Sequence, residues 1–539
     1  MVKVARPGVR VARKREKSRG PGWNSRENQE TRATTWPKEP VPAGHPIAKR
    51  RRSMEERTTL KQTLKPHWVW AIALGSSIGW GAFVQPTTWM STAGPLGVMI
   101  GLSIGALLMM LIAISYGFLI KSFPVSGGEF AYSYISLGRV HAFICGWFLT
   151  LGYLCIVALN ASAFALMVKF VFPTILETFH LYTIAGWNVY LMEVIIASAI
   201  LGIFGYFNMR GTGLSGRMQF IFCTIMVIGV VVITSMVGVH PGSGLSNVAP
   251  LFPTDTPAFA AIISIVAIAP WAYVGFDNVP QAAEEFHFSS RKAFTLIILA
   301  IFFAAVLYSM MIVATSMIAP WEQLVAQEKT WGTGAAIQGL LGTIGLVILV
   351  TALTMGIFTG LNGFIISSSR LLFAMSRAKI IPEIFSKLHP TYKTPYIGIL
   401  FTVIVAAIAP WFGRQALTWV VDMSSIGVTI AYFYTCYTAF TLFTWSRTKK
   451  FNPDTQVVAP LKKAFAGLGM LASITFLGLL LIPGSPAALG VESIIALVIW
   501  IVLGVAFYLS NRTELSNIPK EELNYLITGN KQIRAKNQI

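Results

Sequence analysis

Residues 66–120 contain no aspartate, glutamate, lysine or arginine, a run of 55 positions. A helix crosses the hydrocarbon core of a bilayer with about 20 apolar residues, so this run is long enough for two crossings. In lipid every backbone polar group must be bonded internally, which leaves helices or closed barrels. Barrel strands would read as alternating segments of about 10 residues, whereas the runs here are continuous. Ten further candidate spans fall near 141–170, 187–206, 216–239, 258–284, 292–319, 335–366, 396–412, 416–445, 463–482 and 488–510, giving twelve in all. Composition points the same way. The chain is 54% hydrophobic and 12% charged, with a mean hydropathy of +0.64, where soluble domains carry about 25% charged residues. A soluble enzyme, a disordered chain and a collagen-like chain are excluded.

The net charge of +20 would suggest nucleic acid on a soluble domain, but its distribution argues against that. Residues 1–65 hold 18 basic and 6 acidic residues, with no nucleic-acid-binding motif beside them. With the N-terminus placed inside, the inner loops carry sixteen basic residues, from Lys121 and Arg139 to Lys462 and Lys463. The outer side then has three, Lys169, Lys329 and Arg414. The positive-inside rule therefore puts both termini in the cytoplasm. Residues 1–60, rich in Arg, Pro and Glu without an apolar period, read as disordered. No apolar core of signal-peptide type precedes the first span. Met54 opens a compact lead-in, MEERTTLKQTLKP, and is a candidate start of translation. Cys145, Cys155, Cys223 and Cys436 lie in apolar stretches without metal-type spacing and read as small buried hydrophobes. No metal or cofactor is expected.

Two spans are interrupted. The first reads WVWAIALGSSIGWGAFVQP, with Gly75, Gly79 and Gly81 at mid-membrane and Ser76 and Ser77 among them. The sixth reads AIISIVAIAPWAYVGFDNVPQAAEE, with Pro270, Gly275 and Pro280 around the interruption. Proline breaks the helical ladder and glycine permits unwinding. Unwound backbone at membrane depth is tolerated only where it lines a cavity or is buried in protein. Spans one and six are equivalent positions of two five-span halves, and paired broken helices in an inverted repeat point to a central binding site. In the second span Gly97, Gly101 and Gly105 form a small-residue packing face.

Charges inside spans are functional candidates by default. Asp277, just past the sixth-span break, either meets a substrate amine or coupling proton or caps the new half-helix. Glu193, Asp422 and Glu492 lie near span ends and read as interfacial. Glu284 and Glu285 close the sixth span and are expected to pair with Arg291 or another inner-loop base. Trp80, Trp271, Tyr273 and Phe364 are aromatics near the breaks, placed to wall a pocket or to meet a cation with a π-face. No triad, phosphate loop or carboxylate pair marks an enzyme.

Four stretches carry a family resemblance between about Trp68 and Tyr396. Gly75-Ser76-Ser77-Ile78-Gly79-Trp80-Gly81-Ala82-Phe83 is like G-x-x-I-G-x-G-I-F. Phe123-Pro124-Val125-Ser126-Gly127-Gly128-Glu129-Phe130 is like P-x-x-G-G-E-Y. Trp271-Ala272-Tyr273-Val274-Gly275-Phe276-Asp277, followed by Ala283-Glu284-Glu285, is like F-A-Y-x-G-F-D…A-E-E. Ser368-Ser369-Arg370-Leu371-Leu372-Phe373-Ala374-Met375, through Pro382 to Thr394-Pro395, is like S-S-R-x-x-Y-A-M-A-R-D-G-x-x-P…T-P. The chain resembles the amino acid–polyamine–organocation superfamily, proton- or sodium-coupled amino acid permeases with the leucine-transporter-type fold. It departs from the pattern at Trp80, where a small or hydroxyl residue is usual. It also departs at Met226, where some proton-coupled members carry a lysine, at Lys379 for a family glycine, and at Phe288–Phe294.

The resemblance implies an all-α membrane protein of twelve transmembrane helices. Two inverted five-helix repeats, about 66–240 and 256–446, would be followed by extra helices over 463–510. The whole transporter domain, 65–510, would lie between a basic cytoplasmic tail (1–64) and a C-terminal one (511–539). It further implies secondary transport of an amino acid across the cell membrane by alternating access. The substrate carboxylate would meet backbone N–H groups at the first-span break. The amine would meet carbonyls around Ser76, Ser77 and Trp271, in a site completed by Gly79, Trp80, Gly81, Ala272, Tyr273, Gly275, Asp277 and Phe364. A coupling proton would need Asp277 or another carboxylate, and sodium would need oxygens such as those of Thr351 or Thr354. An amine or polyamine carrier, an exchanger and a non-transporting membrane sensor are the alternatives.

Overall fold

The computed structural model describes residues 57–184, 186–327, 329, 331–413, 415–444, 460–510 and 518–529. The expectations for residues 1–56, including the Met54 start, for Arg414, and for 511–517 and 530–539 lie outside the described residues.

The first apolar run divides as its glycines and prolines dictate. Helix α1 (Pro66–Ile78) begins on a proline at its first position, where the missing N–H costs nothing. It stops at Gly79, and one turn, α2 (Gly81–Val84), leads into α3 (Pro86–Ser122). A short helix, α4 (Gly128–Leu137), precedes α5 (Arg139–Val171) and the turn α6 (Pro173–Leu176). An antiparallel hairpin of β1 (His180–Ile184) and β2 (Trp187–Tyr190) follows. Then come α7 (Leu191–Met209) and α8 (Thr212–Val239). The next apolar segment is fragmented into α9 (Ala258–Ala267), α10 (Ala269–Ala272) and α11 (Asn278–Gln281). After it run α12 (Arg291–Ile318), α13 (Trp321–Ala326), α14 (Gly332–Arg377) and α15 (Tyr396–Ala406). The last are α16 (Gln415–Thr444), α17 (Pro460–Leu481), α18 (Val491–Ser510) and α19 (Lys520–Thr528).

Among the described residues nine helices are long and apolar enough to cross a membrane, and Ala258–Ala267 and Tyr396–Phe412 are shorter apolar helices. The core is a large apolar cluster through most of these helices, with a smaller one around Leu151, Met423, Ile426 and Leu480. The broken first segment sits inside it, with α1 in contact with α8, α12 and α14. The small-residue face of α3 packs as expected. A Cβ at Gly101 would lie 2.6 Å from that of Ile265, and one at Gly105 would lie 2.7 Å from that of Ala269.

Three expectations are corrected. The segment just before α1 is ordered rather than part of a loose tail: Leu64 bridges to Phe286, and Arg57 pairs with Glu284. The C-terminal tail contains a docked helix, because α19 buries Leu523, Leu526 and Ile527. Glu193 and Asp422 are not solvated at an interface. Glu193 is buried against Lys169, and Asp422 accepts a hydrogen bond from Ser493 at 2.6 Å.

Candidate functional site

The two interruptions meet. Gly79 has φ +49° and ψ −135°, a region that residues with a Cβ avoid. Its N–H still bonds the Gly75 carbonyl at 3.0 Å, and the chain then turns away before α2. Gly275 has φ +131°, and a Cβ there would lie 2.5 Å from the Ser77 nitrogen and 2.6 Å from the Ser76 carbonyl carbon. The sixth-segment break is therefore seated directly on the Ser76–Ser77 peptide. Ser77 Oγ donates to the Tyr273 carbonyl at 3.0 Å, a second tie between the breaks. On the other side α14 approaches so closely that a Cβ at Gly356 would lie 2.2 Å from the Gly79 carbonyl oxygen.

Unwinding frees carbonyl oxygens, and in an apolar interior each must find a donor. Tyr308 of α12 serves those of both breaks. Its hydroxyl lies 3.2 Å from the Ser77 and Ile78 carbonyls and 3.0 Å from that of Ala272. One proton cannot satisfy three acceptors at once, so the cluster retains capacity for a further donor. At the start of α2, the N–H groups of Gly81 and Ala82 have no intrahelical carbonyl to bond. Adjacent N–H donors and carbonyl acceptors are what the two ends of a zwitterion require.

Asp277 is buried, and of its two sequence readings the structure removes the helix cap. One oxygen accepts from the Gly275 N–H at 2.7 Å, and the other accepts from the Tyr153 hydroxyl at 2.9 Å. The carboxylate makes no cap to α11; it holds the turn of its own break. Glu129 of the P-x-x-G-G-E stretch is equally buried, accepting from Tyr116 at 2.9 Å and from Gln281 of α11.

Of the residues singled out from sequence, Ser76, Ser77, Gly79, Trp80, Gly81, Trp271, Ala272 and Gly275 gather at the junction. Trp80 meets Trp271 edge to face, with centroids 5.8 Å apart. Tyr273 turns away, donating to the Leu102 carbonyl of α3 at 2.8 Å. Phe364 is fully buried, its ring 5.7 Å from that of Tyr153. Thr351 and Thr354 are not brought to the breaks. Thr351 is exposed and bonded to the Val347 carbonyl of its own helix, and Thr354 bonds to Val350 and Met167. Thr359, two turns beyond Thr351, does reach the first break and donates to the Gly75 carbonyl at 2.9 Å.

A cavity of about 390 Å³ lies beside the junction, lined by the α2–α3 turn, the last turns of α5, Trp187 of the hairpin, Trp331 before α14, Leu353 midway along it, and the N-terminal part of α16. Trp80 also lines it, alone among the residues singled out from sequence. The far end of α14 is fastened to the end of the sixth segment by ion pairs. Arg370 bonds Glu285 at 2.8 Å, and Glu284 holds both Arg377, at 2.9 Å, and Arg57. The expected pairing with inner-loop bases falls to these α14 arginines, because α14 runs on to Arg377 and passes beside the end of the sixth segment.

Sequence reasoning missed Tyr308, although a tyrosine in the middle of an apolar run signals a hydroxyl that must find a partner. It also missed a buried amide network. Gln219 of α8 donates to the Ala71 and Thr359 carbonyls at 3.2 Å, and Asn362 donates to Gln219 at 2.7 Å and accepts from Asn208 at 3.0 Å. Gln219 stands two turns before Met226 on the same span, a polar residue in an apolar run that signals a buried amide in need of partners.

Membrane-length helices packed around two interrupted ones, with backbone carbonyls of both breaks converging on Tyr308 and a cavity beside them, define a multi-pass membrane transporter. The amino acid permease family pattern matches residues 68–505, and the chain belongs to that family. It is 27% identical to the branched-chain amino acid permease of Bacillus subtilis over 359 residues, 64% of this chain and 73% of that one. It is 29% identical to the methylthioribose transporter of the same organism over 68% of this chain and 79% of that one. With the mouse cationic amino acid transporter 4 it shares 24% over 70% of this chain and 59% of the relative.

Proposed function

We propose that the protein is a secondary active transporter that carries an amino acid across the cell membrane by alternating access, with its site at the junction of the two breaks. The observation that carries this reading is the seating of Gly275 on the Ser76–Ser77 peptide, which makes one site of two unwound segments. The N–H groups that begin α2 would receive the carboxylate, and the carbonyls of Ser77, Ile78 and Ala272 would receive the ammonium. In this reading the nine long helices are joined by α1–α2, α9–α11 and α15 to make twelve spans in two inverted repeats plus two. Both termini are cytoplasmic, as the loop charges favour. The pairwise contacts among α5, α7, α14 and α15 support their role as a scaffold against which α1 and the sixth span rock. The ion pairs of Glu284 and Glu285 then close the inner side while the cavity at Trp80 faces outward.

Coupling belongs to the same proposal. Asp277 is a buried carboxylate at the break, whereas Thr351 and Thr354 lie off it. This favours a proton over the sodium arrangement built on those two threonines. The test is uptake of labelled amino acid by proteoliposomes. Counterflow into vesicles preloaded with the same amino acid is expected, and an acid-outside gradient is expected to drive accumulation where a sodium gradient does not. Binding without counterflow would leave a sensor, not a carrier.

A further inference from the structure

The cavity beside the breaks has an unusual lining for a protein that handles zwitterions. Its walls are Trp80, Phe170, Trp187, Trp331, Met167 and aliphatic side chains, with Gln85, Thr88 and Thr418 as polar groups. Among the described residues none of those lining it is charged. Aromatic faces of this kind attract cations, so the lining alone leaves two substrate classes open: apolar side chains and cationic ones.

The adjoining cavity separates them. It shares Leu166, Phe170 and Trp187 with the first and adds Lys169, Glu177 and Tyr190. Lys169 stands on the last turn of α5, between Leu166 and Phe170. Its ammonium lies 4.5 Å from the centre of the Tyr190 ring, 5.3 Å from that of Trp187, and 2.6 Å from a Glu193 carboxylate oxygen. The side chains of Lys169 and Glu193 are 15% and 6% exposed, so the pair is largely withdrawn from solvent. The buried carboxylate near the cavity, Glu193, and the aromatic faces of the hairpin beside it are already engaged by the protein's own cation.

We infer that Lys169 is a specificity-determining residue that reserves the site for neutral amino acids with apolar side chains, by occupying the position a cationic side chain would take. The inference rests on the transporter reading above and names its substrate class. Glu177, at 3.8 Å from Lys169 and half exposed, is too well solvated to replace Glu193 as a selective contact. Removing the ammonium while keeping its stem would expose Glu193 and the two rings to the substrate.

The experiment is competition against labelled leucine uptake in proteoliposomes, for the parent, Lys169→Met, and Lys169→Met combined with Glu193→Gln. In the parent, methionine, isoleucine and phenylalanine compete, while arginine and lysine do not at a concentration about tenfold higher. Lys169→Met gains inhibition by arginine and lysine, their half-inhibitory concentrations falling by about tenfold or more, as expected when a cation gains a desolvated carboxylate and π-faces. The double variant loses that gain, because the carboxylate is gone. Inhibition of the parent by arginine as strong as by isoleucine would overturn the inference whether or not the variants fold. So would an active Lys169→Met protein with an unchanged profile. If the parent takes up arginine but not leucine, the substrate class fails and the transporter reading stands. If it takes up neither, while purified protein is monodisperse, the transporter reading itself fails.

Discussion

Gly275→Ala is expected to abolish transport while leaving a membrane-inserted, monodisperse protein. A Cβ at Gly275 would lie 2.5 Å from the Ser77 nitrogen and 2.6 Å from the Ser76 carbonyl carbon. Both are backbone atoms of the opposing break and cannot rotate aside, as a flexible side chain would. The residue also sits at φ +131°, where a side chain adds strain of about 1–3 kcal/mol. The two segments must therefore separate, and separation pulls apart the carbonyls of Ser77, Ile78 and Ala272 that converge on Tyr308. Gly79→Ala is the informative companion. It has positive φ but nothing closer than 3.9 Å to a Cβ, so it carries backbone strain without a collision. Counterflow should fall below about a hundredth of the parent for Gly275→Ala, a loss of about 2.7 kcal/mol or more, and less for Gly79→Ala. Equal residual activity in both variants would contradict the contact between the breaks.

Glu285→Gln is expected to produce the largest loss of stability. Its side chain is 3% exposed and that of its partner Arg370 is 1% exposed. Removing one member of a buried pair leaves the other charge unpaired, at a cost of about 3–5 kcal/mol. Arg370 retains only a neutral contact to Ser369 at 2.8 Å and a distant one to the Ile366 carbonyl. Replacing both, as Glu285→Gln with Arg370→Met, removes the orphaned charge and is expected to recover most of the loss, since neutral replacements of buried pairs are often tolerated. Heat denaturation in detergent should order the proteins as parent, double variant, single variant. A single variant as stable as the parent would mean that the pair does not fasten α14 to the end of the sixth segment.

The amount of this structure that was legible in the sequence differs by kind of signal. Helix positions followed from the absence of charge, a signal imposed by the solvent and therefore local. The two breaks were legible because Gly79, Pro270 and Gly275 constrain backbone wherever they stand. The contact between the breaks was not, since nothing in either stretch says that Gly275 will rest on Ser77 rather than on another helix. Side-chain partners were the least legible. That Glu284 and Glu285 pair with inner-loop bases is legible from their place at the span end, but which bases is not: α14 delivers Arg377 and Arg370 from about 90 residues away. Asp277 reads from sequence as a ligand group or a cap; it makes no cap to α11, and its carboxylate braces its own turn through the Gly275 N–H. Glu193 was read as interfacial because it stands near a helix start, yet Lys169 on α5 buries it. Thr351 and Thr354 stand as candidate oxygens on the eighth span, but residue type does not tell the outer face of α14 from the face that carries Thr359 to the Gly75 carbonyl.

The most direct test of the central claim is a cryo-electron microscopy structure of the full chain in lipid nanodiscs with saturating leucine. The account predicts ligand density at the junction of the breaks, its carboxylate toward the N–H groups of Gly81 and Ala82. Its ammonium should lie among the Ser77, Ile78 and Ala272 carbonyls beside Tyr308, and its side chain should extend past Trp80 into the apolar cavity. Ligand density elsewhere, with the Tyr308 hydroxyl still among those carbonyls and the junction unchanged, would contradict it.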